Sequence, residues 1–193
     1  MIFIVGLGNP GEQYEHTPHN MGFRALNFFR AKNLPSVNWI TGKTAIYLTA
    51  KLENKEIDLI KSLRYMNLSG FPIKEHMERF NITTDSLWVV HDEFDLPWGE
   101  IRVDVDRSSA GHKGVQSIIE SLGTQTFWRF RIGVKPETLS MPLDEYLTQT
   151  DGGKSEKYIQ KLLEKVSALL FDAIKHGIEK KKETIEKGNG SAS

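Results

Sequence analysis

The residues best equipped for chemistry in this chain are a histidine and a carboxylate far apart in sequence, His19 and Asp92, with the amides Asn9 and Asn67 and a His112-Lys113 pair set between glycines. Each stands where a strand, or the loop leaving it, is expected to end, and side chains from separate strand ends can converge at one edge of a sheet. One histidine beside one carboxylate suggests a general base. The carboxylate would hold the imidazole in the tautomer that leaves its other nitrogen free, and would stabilise the imidazolium formed when that nitrogen takes a proton. Water is then the expected nucleophile: cysteine is absent and no Gly-x-Ser-x-Gly elbow occurs, so a covalent acyl-enzyme lacks its usual carrier. An ester is a weaker demand than an amide because its alkoxide leaves more readily, and a base plus donors on the oxyanion can suffice.

The same residues admit other readings. Gly6-x-Gly8-x-x-Gly11 after an apolar run matches the dinucleotide-binding fingerprint, but Pro10 and Gly11 prolong the loop, and no acidic residue lies between Glu15 and Glu53 to hold a ribose. The loop delivers Asn9, Tyr14, His19 and Asn20 instead, with Asn20 placed as the N-cap of a helix over 21–32. On that stretch alone, a catalytic histidine and a surface histidine beside a capping asparagine both stand. A metallohydrolase using His16, His19, His91, Asp92 and His112 has no His-Glu-x-x-His or comparable spacing behind it, and no metal or other cofactor is expected.

The elements that must position these side chains follow from the pattern. Residues 1–5 form a short apolar run that reads as a buried strand. Thr44 to Leu52 alternates and is turned back by Glu53-Asn54-Lys55 into Ile57 to Ile60, a β-hairpin. Tyr65-Met66-Asn67 leaves that hairpin, and Ser69 can cap a helix carrying Pro72, Ile73, Met77 and Phe80; Met66 on its own is equally a gap-filling core residue. Leu87 to Val90 lacks polar alternation, which predicts a central strand ending in His91-Asp92. Ile101, Val103 and Val105 mark a half-exposed strand, and Trp128 to Val134 an amphipathic one with Arg129 and Arg131 on one face. Between them a flexible loop over 107–114, whose backbone amides could hold an anion, precedes a helix over 115–122 ended by Gly123. Residues 141–153 read as irregular, a candidate lid, and an apolar stripe from Ile159 to Ile174 marks a long last helix. The expected class is α/β: a single-domain three-layer sandwich over residues 1–187, with a mixed twisted β-sheet and helices on both faces, and a disordered tail at 188–193.

Composition narrows the partners. At 193 residues, 39% hydrophobic and 26% charged, the chain fits one soluble domain; lack of cysteine fits a reducing compartment, and no apolar run or basic leader suggests a membrane or secretion, so the cytoplasm is the expected location. The 25 basic and 25 acidic side chains cancel, so any nucleic-acid site must be local. Arg102, Arg107, Arg129 and Arg131 are the candidate phosphate contacts, with Lys135 beside them. Lys175 and Lys180 to Lys182 form a second basic run, which suits a helix C-terminus better than a nucleic acid because Glu179 to Glu186 interleave with it.

Four segments, in order, resemble bacterial-type peptidyl-tRNA hydrolases: Val5-Gly-Leu-Gly-Asn-Pro-Gly-x-x-Tyr14 with Thr17-x-His19-Asn20-x-Gly22, then Tyr65-Met66-Asn67-Leu68-Ser69-Gly70, His91-Asp92-Glu93 through Gly99, and Gly111-His112-Lys113-Gly114. The resemblance implies hydrolysis of the ester between a peptide, or an N-blocked amino acid, and the 3′ ribose of tRNA, recycling tRNA from abandoned translation. It implies His19 as base and Asp92 as its orienter. Asn9 and Asn67 would hold the peptide main chain, Tyr14 and Met66 would line the channel for the acylated end, and peptidyl-tRNA would be met by a monomer without a cofactor. Departures stand at Pro18, where the family has Arg, at Ser62 and Arg64, at Asp104, a position usually basic, and at Lys113, where the family has Asn. Lys113 is expected to stabilise the oxyanion and to depress the pKa of His19. A non-catalytic tRNA- or RNA-binding relative of the same fold is the alternative.

Overall fold

The computed structural model describes residues 1–185, and the expected tail at 188–193 lies outside the described residues. Its centre is a parallel array of four strands, β4-β1-β5-β7, where β1 is Ile2–Gly6, β4 Lys55–Ser62, β5 Leu87–Pro97 and β7 Trp128–Lys135. Antiparallel strands extend both edges: β3 (Ala45–Leu52) and β2 (Ile40–Thr41) beyond β4, β6 (Glu100–Val105) and β8 (Lys181–Thr184) beyond β7. The expected hairpin is β3-β4, joined by Glu53 and Asn54 at φ 49° and 61°, the two left-handed residues that a two-residue hairpin turn requires.

Side-chain alternation along β1 separates two cores. Ile4 packs with α1 (Met21–Asn33) and α5 (Glu156–His176) through Leu26, Phe29, Leu162 and Val166; Phe3 and Val5 pack with α2 (Gly70–Phe80) and α3 (Lys113–Leu122) through Ile73, Met77, Val115 and Ile118. The sandwich therefore has helices on both faces, with each fully buried side chain of this kind contributing roughly 1.5–3 kcal/mol. Gly123, at φ 71°, ends α3 as expected.

Several local expectations are corrected. Ser69 does not cap α2: the first N–H, of Gly70, donates to Ser117 Oγ at 3.0 Å, so a residue of the neighbouring helix replaces the local cap. The run over 141–153 is not irregular throughout but holds α4 (Leu143–Thr148). The last helix ends at His176 with Lys175 in its last turn, as a helix terminus favours, whereas Lys181 and Lys182 lie on β8, paired with Asp172 (2.6 Å) and Glu100 (3.5 Å), and so belong to neither a helix terminus nor a free cationic patch. Strand β7 is not amphipathic: Arg129 and Arg131 are buried with their neighbours. No helix among the described residues is long and apolar enough to cross a membrane.

Candidate active site

The site forms at the C-terminal ends of β1 and β5. The Leu7 N–H donates to the Val90 carbonyl (2.9 Å) and the Phe23 N–H to the Leu7 carbonyl (3.1 Å), tying the start of α1 to both strands. Gly22 permits this approach, since a Cβ there would fall on the Val90 carbonyl oxygen and the Leu7 backbone. The turn just before it, Pro18–Asn20, therefore sets His19 beside Asp92.

Asp92, 1% exposed, lies between two imidazoles: Oδ2 is 2.9 Å from His19 Nδ1 and Oδ1 is 3.0 Å from His112 Nε2. Protons can be assigned from the outer contacts. His112 is the N-cap of α3, and its Nδ1 accepts the N–H groups of Gly114 (3.1 Å) and Val115 (3.2 Å), so the proton of the neutral ring must sit on Nε2 and be donated to Asp92. The ionised carboxylate likewise takes the His19 Nδ1 proton, and His19 Nε2 is left as the unprotonated nitrogen. His91 uses Nδ1 to donate to the Asp92 carbonyl at 2.6 Å, while its Nε2 is buried without a partner.

The electrostatics agree. Burial opposes the charged form of His19, but the Asp92 charge and hydrogen bond outweigh it and raise its pKa above the ordinary histidine value. Burial would likewise raise the Asp92 carboxyl, yet His19 and His112 hold it far below the usual carboxylate range. Burial, with His112 adding to it, holds His91 neutral by lowering its pKa.

His19 borders a cavity of about 670 Å³ together with Asn9, Tyr65, Met66, Asn67 and Lys113, and α4 supplies the opposite wall through Asp144, Glu145, Leu147 and Thr148. The segment read as a candidate lid is thus a wall of the cavity. Asn9 Oδ1 accepts the Met66 N–H at 2.8 Å, which turns the donor end of that amide away from Met66. Asn20 does not cap α1 with its side chain: its Oδ1 accepts the Asn9 N–H (2.8 Å) and its Nδ2 donates to the Asn9 carbonyl (2.9 Å), so it braces the loop that carries Asn9. Met66, 4% exposed, both packs in the core and borders the cavity.

Other expected site residues fall elsewhere. Tyr14 is half-buried and is not among the residues lining this cavity. Lys113 is exposed and reaches across to Asp144, with Nζ 2.9 and 3.0 Å from its carboxylate oxygens; its charge lowers the His19 pKa as expected, but Asp144 opposes it and Asp92 outweighs it, so the net shift is upward. Arg129 donates to the carbonyls of Ser108 (2.6 Å), Arg107 and Gln125, and Arg131 lies between Glu93 (3.0 Å) and Asp104 (2.7 Å). Both guanidinium groups are spent inside the protein. Arg102 pairs with Glu100 at 2.6 Å, and only Arg107 of the four is exposed without an ion pair among the described residues. The amides at the start of α3 do not await an anion, because His112 occupies those of Gly114 and Val115.

Of the histidines considered as metal ligands, His19 and His112 share Asp92, the three donor atoms lying within 4.8 Å of one another, and among the described residues His16 stands in a second such group with Asp151 and Glu156. The direct N···O contacts of 2.9 and 3.0 Å are those of a hydrogen-bonded chain.

The peptidyl-tRNA hydrolase family model matches residues 3–192. The chain belongs to the peptidyl-tRNA hydrolase family. It is 38% identical over 193 residues to the Clostridium perfringens peptidyl-tRNA hydrolase, covering 98% of each chain, and 39% identical over 183 residues to that of Thermodesulfovibrio yellowstonii, covering 93% of this chain and 96% of the relative. The crystal structure of peptidyl-tRNA hydrolase from Acinetobacter baumannii superposes with a TM-score of 0.76 at 26% identity, over 91% of this chain and 87% of that one. Within the peptidyl-tRNA hydrolase fold, His112, singled out in the sequence, proves to be a second partner of Asp92, a role its sequence position did not indicate. Asp144 is the candidate-site residue that sequence reasoning missed, since nothing local in the sequence joins it to Lys113, 31 residues away.

Proposed function

We propose that the chain hydrolyses the ester between a peptide, or an N-blocked amino acid, and the 3′ ribose of tRNA, with His19 as general base. The observation that carries this reading is the double hydrogen bond at Asp92: both imidazoles donate to it, so His19 Nε2 is left basic beside the cavity. A water held by Nε2 attacks the ester carbonyl and gives its proton to the ring. Asp92 stabilises the resulting imidazolium, and His112 keeps the carboxylate fixed. The donor end of Asn9 is set to take a substrate carbonyl or its developing oxyanion, its acceptor end being held by Met66. Asn67 lines the same cavity and serves the peptide main chain. The imidazolium then returns its proton to the ribose oxygen as the tetrahedral intermediate collapses, so the base is regenerated.

The chain is proposed to act as a monomer, and the substrate arises where translation occurs, which supports the cytoplasm. The test is to incubate the protein with N-acetyl-aminoacyl-tRNA and follow release of the N-acetyl amino acid. Release above the water control, undiminished by chelator, is expected. No release would refute the hydrolytic reading, and loss in chelator would place a metal among His19, Asp92 and His112.

A further inference from the structure

Behind Asn9 and Asn20 lies a second cavity, of about 490 Å³, that the hydrolytic reading does not use. Its volume is in the range that takes a small ligand. Lys61 reaches into it from β4 and is 8% exposed. The contacts of its ammonium are neutral: Asn27 Oδ1 at 2.6 Å, and the ring of Trp39, whose centroid is 4.1 Å from Nζ. Burial pushes this ammonium down to about 8, with the Glu15 carboxylate opposing the shift. A cation desolvated this far without a bonded counter-charge is costly, and an anion entering the cavity would relieve it.

The rest of the cavity limits which anion. Phe23, Phe28, Ile46 and Leu63 make its walls apolar. Glu12 and Glu15, both exposed, stand at its border without an ion pair among the described residues. A compact multiply charged anion would meet those carboxylates on its way in. A ligand negative at one end, apolar in the middle and positive at the other matches the buried cation, the walls and the acidic border in turn.

We propose that this cavity binds a short zwitterionic peptide, with its terminal carboxylate on Lys61, its side chains against Phe23 and Phe28, and its ammonium at Glu12 and Glu15. Resting on the hydrolytic reading, the source of such a ligand is the reaction itself. Hydrolysis of the ester creates the free carboxylate that the substrate lacks, so the cavity distinguishes released peptide from peptide still on tRNA. Asn9 borders both cavities and makes the two sites neighbours.

The experiment is an NMR titration of the full chain, labelled at lysine, with the dipeptide Leu-Phe, its C-terminal amide, its N-acetyl derivative, inorganic phosphate and AMP. The free dipeptide is expected to shift the Lys61 ε-methylene signal saturably at millimolar concentration and to raise the Lys61 pKa. The amide should bind about tenfold or more weaker, the loss expected for a charge-assisted hydrogen bond, and the N-acetyl form should also weaken. Lys61→Met should abolish the preference for the free carboxylate while turnover of N-acetyl-aminoacyl-tRNA stays at the wild-type rate. Equal affinity for acid and amide, a shift at His19 without one at Lys61, or tighter binding of phosphate or AMP would each overturn the proposal. If Lys61→Met does not fold, the acid-amide comparison in the wild-type protein decides alone. Failure of this titration leaves the hydrolysis assay untouched, so the two readings fail separately.

Discussion

Replacing Asp92 by asparagine tests the proton arrangement more sharply than removing the base does. Asparagine keeps the shape but offers one acceptor and one donor end where the carboxylate offered two acceptors. His112 must present Nε2–H, because its Nδ1 accepts two backbone N–H groups at the start of α3. The carbonyl oxygen of the amide is therefore drawn to His112, and the NH₂ end faces His19 Nδ1. His19 must then carry its proton on Nε2, the nitrogen that should be basic. The expected loss in turnover is about 10⁴-fold, the size seen when a triad carboxylate becomes an amide, or roughly 5.5 kcal/mol of barrier. Part of it comes from the tautomer and part from the lost charge, and His112→Ala separates them. Without the second imidazole the amide can turn its oxygen to His19, so Asp92→Asn combined with His112→Ala should turn over about tenfold or more faster than Asp92→Asn alone. This should hold although His112→Ala by itself slows the enzyme and removes a helix cap worth about 1 kcal/mol. Single-turnover cleavage of N-acetyl-aminoacyl-tRNA is the assay, with pH profiles. In wild type, activity falls as pH drops through the raised His19 pKa; without the carboxylate, burial is the largest influence left on the ring, with Lys113 and Asp144 opposing each other, so the acid limb moves to lower pH. A double variant slower than either single, by the product of their losses, would refute the tautomer argument.

Removing the base itself, His19→Ala should cost on the order of 10²- to 10⁴-fold in turnover with thermal unfolding little changed; a near-normal rate would take His19 out of the mechanism. Lys113→Asn should move the acid limb upward and Asp144→Asn downward, since the two charges act on His19 in opposite senses, and shifts of the same sign would contradict the ion pair described here. Arg131→Ala should leave the salt dependence of tRNA binding unchanged but destabilise the fold by about 3–5 kcal/mol in denaturant titration, as expected when one partner of a buried charge cluster is deleted; a reduced salt slope would restore Arg131 as a phosphate contact. With Arg64, Arg107 and Lys135 exposed without an ion pair among the described residues, log affinity against log salt should fall with a slope of about −2 to −3, and a slope several times steeper would mean that further cations meet phosphate.

The layer architecture was readable because it depends on local signals, and His19 and Asp92 could be set together because each follows a recognisable strand end and the family resemblance joins them. The unalternating run at Leu87–Val90 can only be a strand covered on both faces, and glycines at 6, 8 and 22 mark where backbone and helix must approach. What was not readable depends on partners distant in sequence. Ser69 looked like a cap because the rule for caps is local, whereas Ser117 reaches α2 from another helix. Asn20 looked like a cap for the same reason, yet its amide matches both the N–H and the carbonyl of Asn9, a two-bond fit that a single cap bond does not offer. Arg129 and Arg131 alternate with apolar residues as an exposed face would, but β7 is interior to the sheet, and each guanidinium is neutralised or hydrogen-bonded by residues some 20 to 40 positions away.

Three of the departures from the family pattern, Asp104, Lys113 and Pro18, share a physical consequence. Asp104, at a position usually basic, does not leave a gap in a cationic surface; it completes the pairing of Arg131, which Glu93 has already half satisfied. Lys113, at a position usually neutral, adds a charge that Asp144 cancels. Pro18, in place of a cation, opens the turn that carries His19 with a backbone angle already suited to it. Each change thus keeps or stiffens the frame around His19 and Asp92 while withdrawing charge from the surface around them. With a net charge of zero to begin with, the protein can draw little of its affinity from long-range attraction to phosphate. On the proposed reading, recognition rests on short-range contacts at the acylated end, where Asn9, Met66 and Asn67 border the cavity and exposed Tyr65 stands at its side. These are groups that read a peptide ester by shape and hydrogen bonding, so binding depends more on the acyl group that distinguishes peptidyl-tRNA than on the phosphates that every tRNA presents.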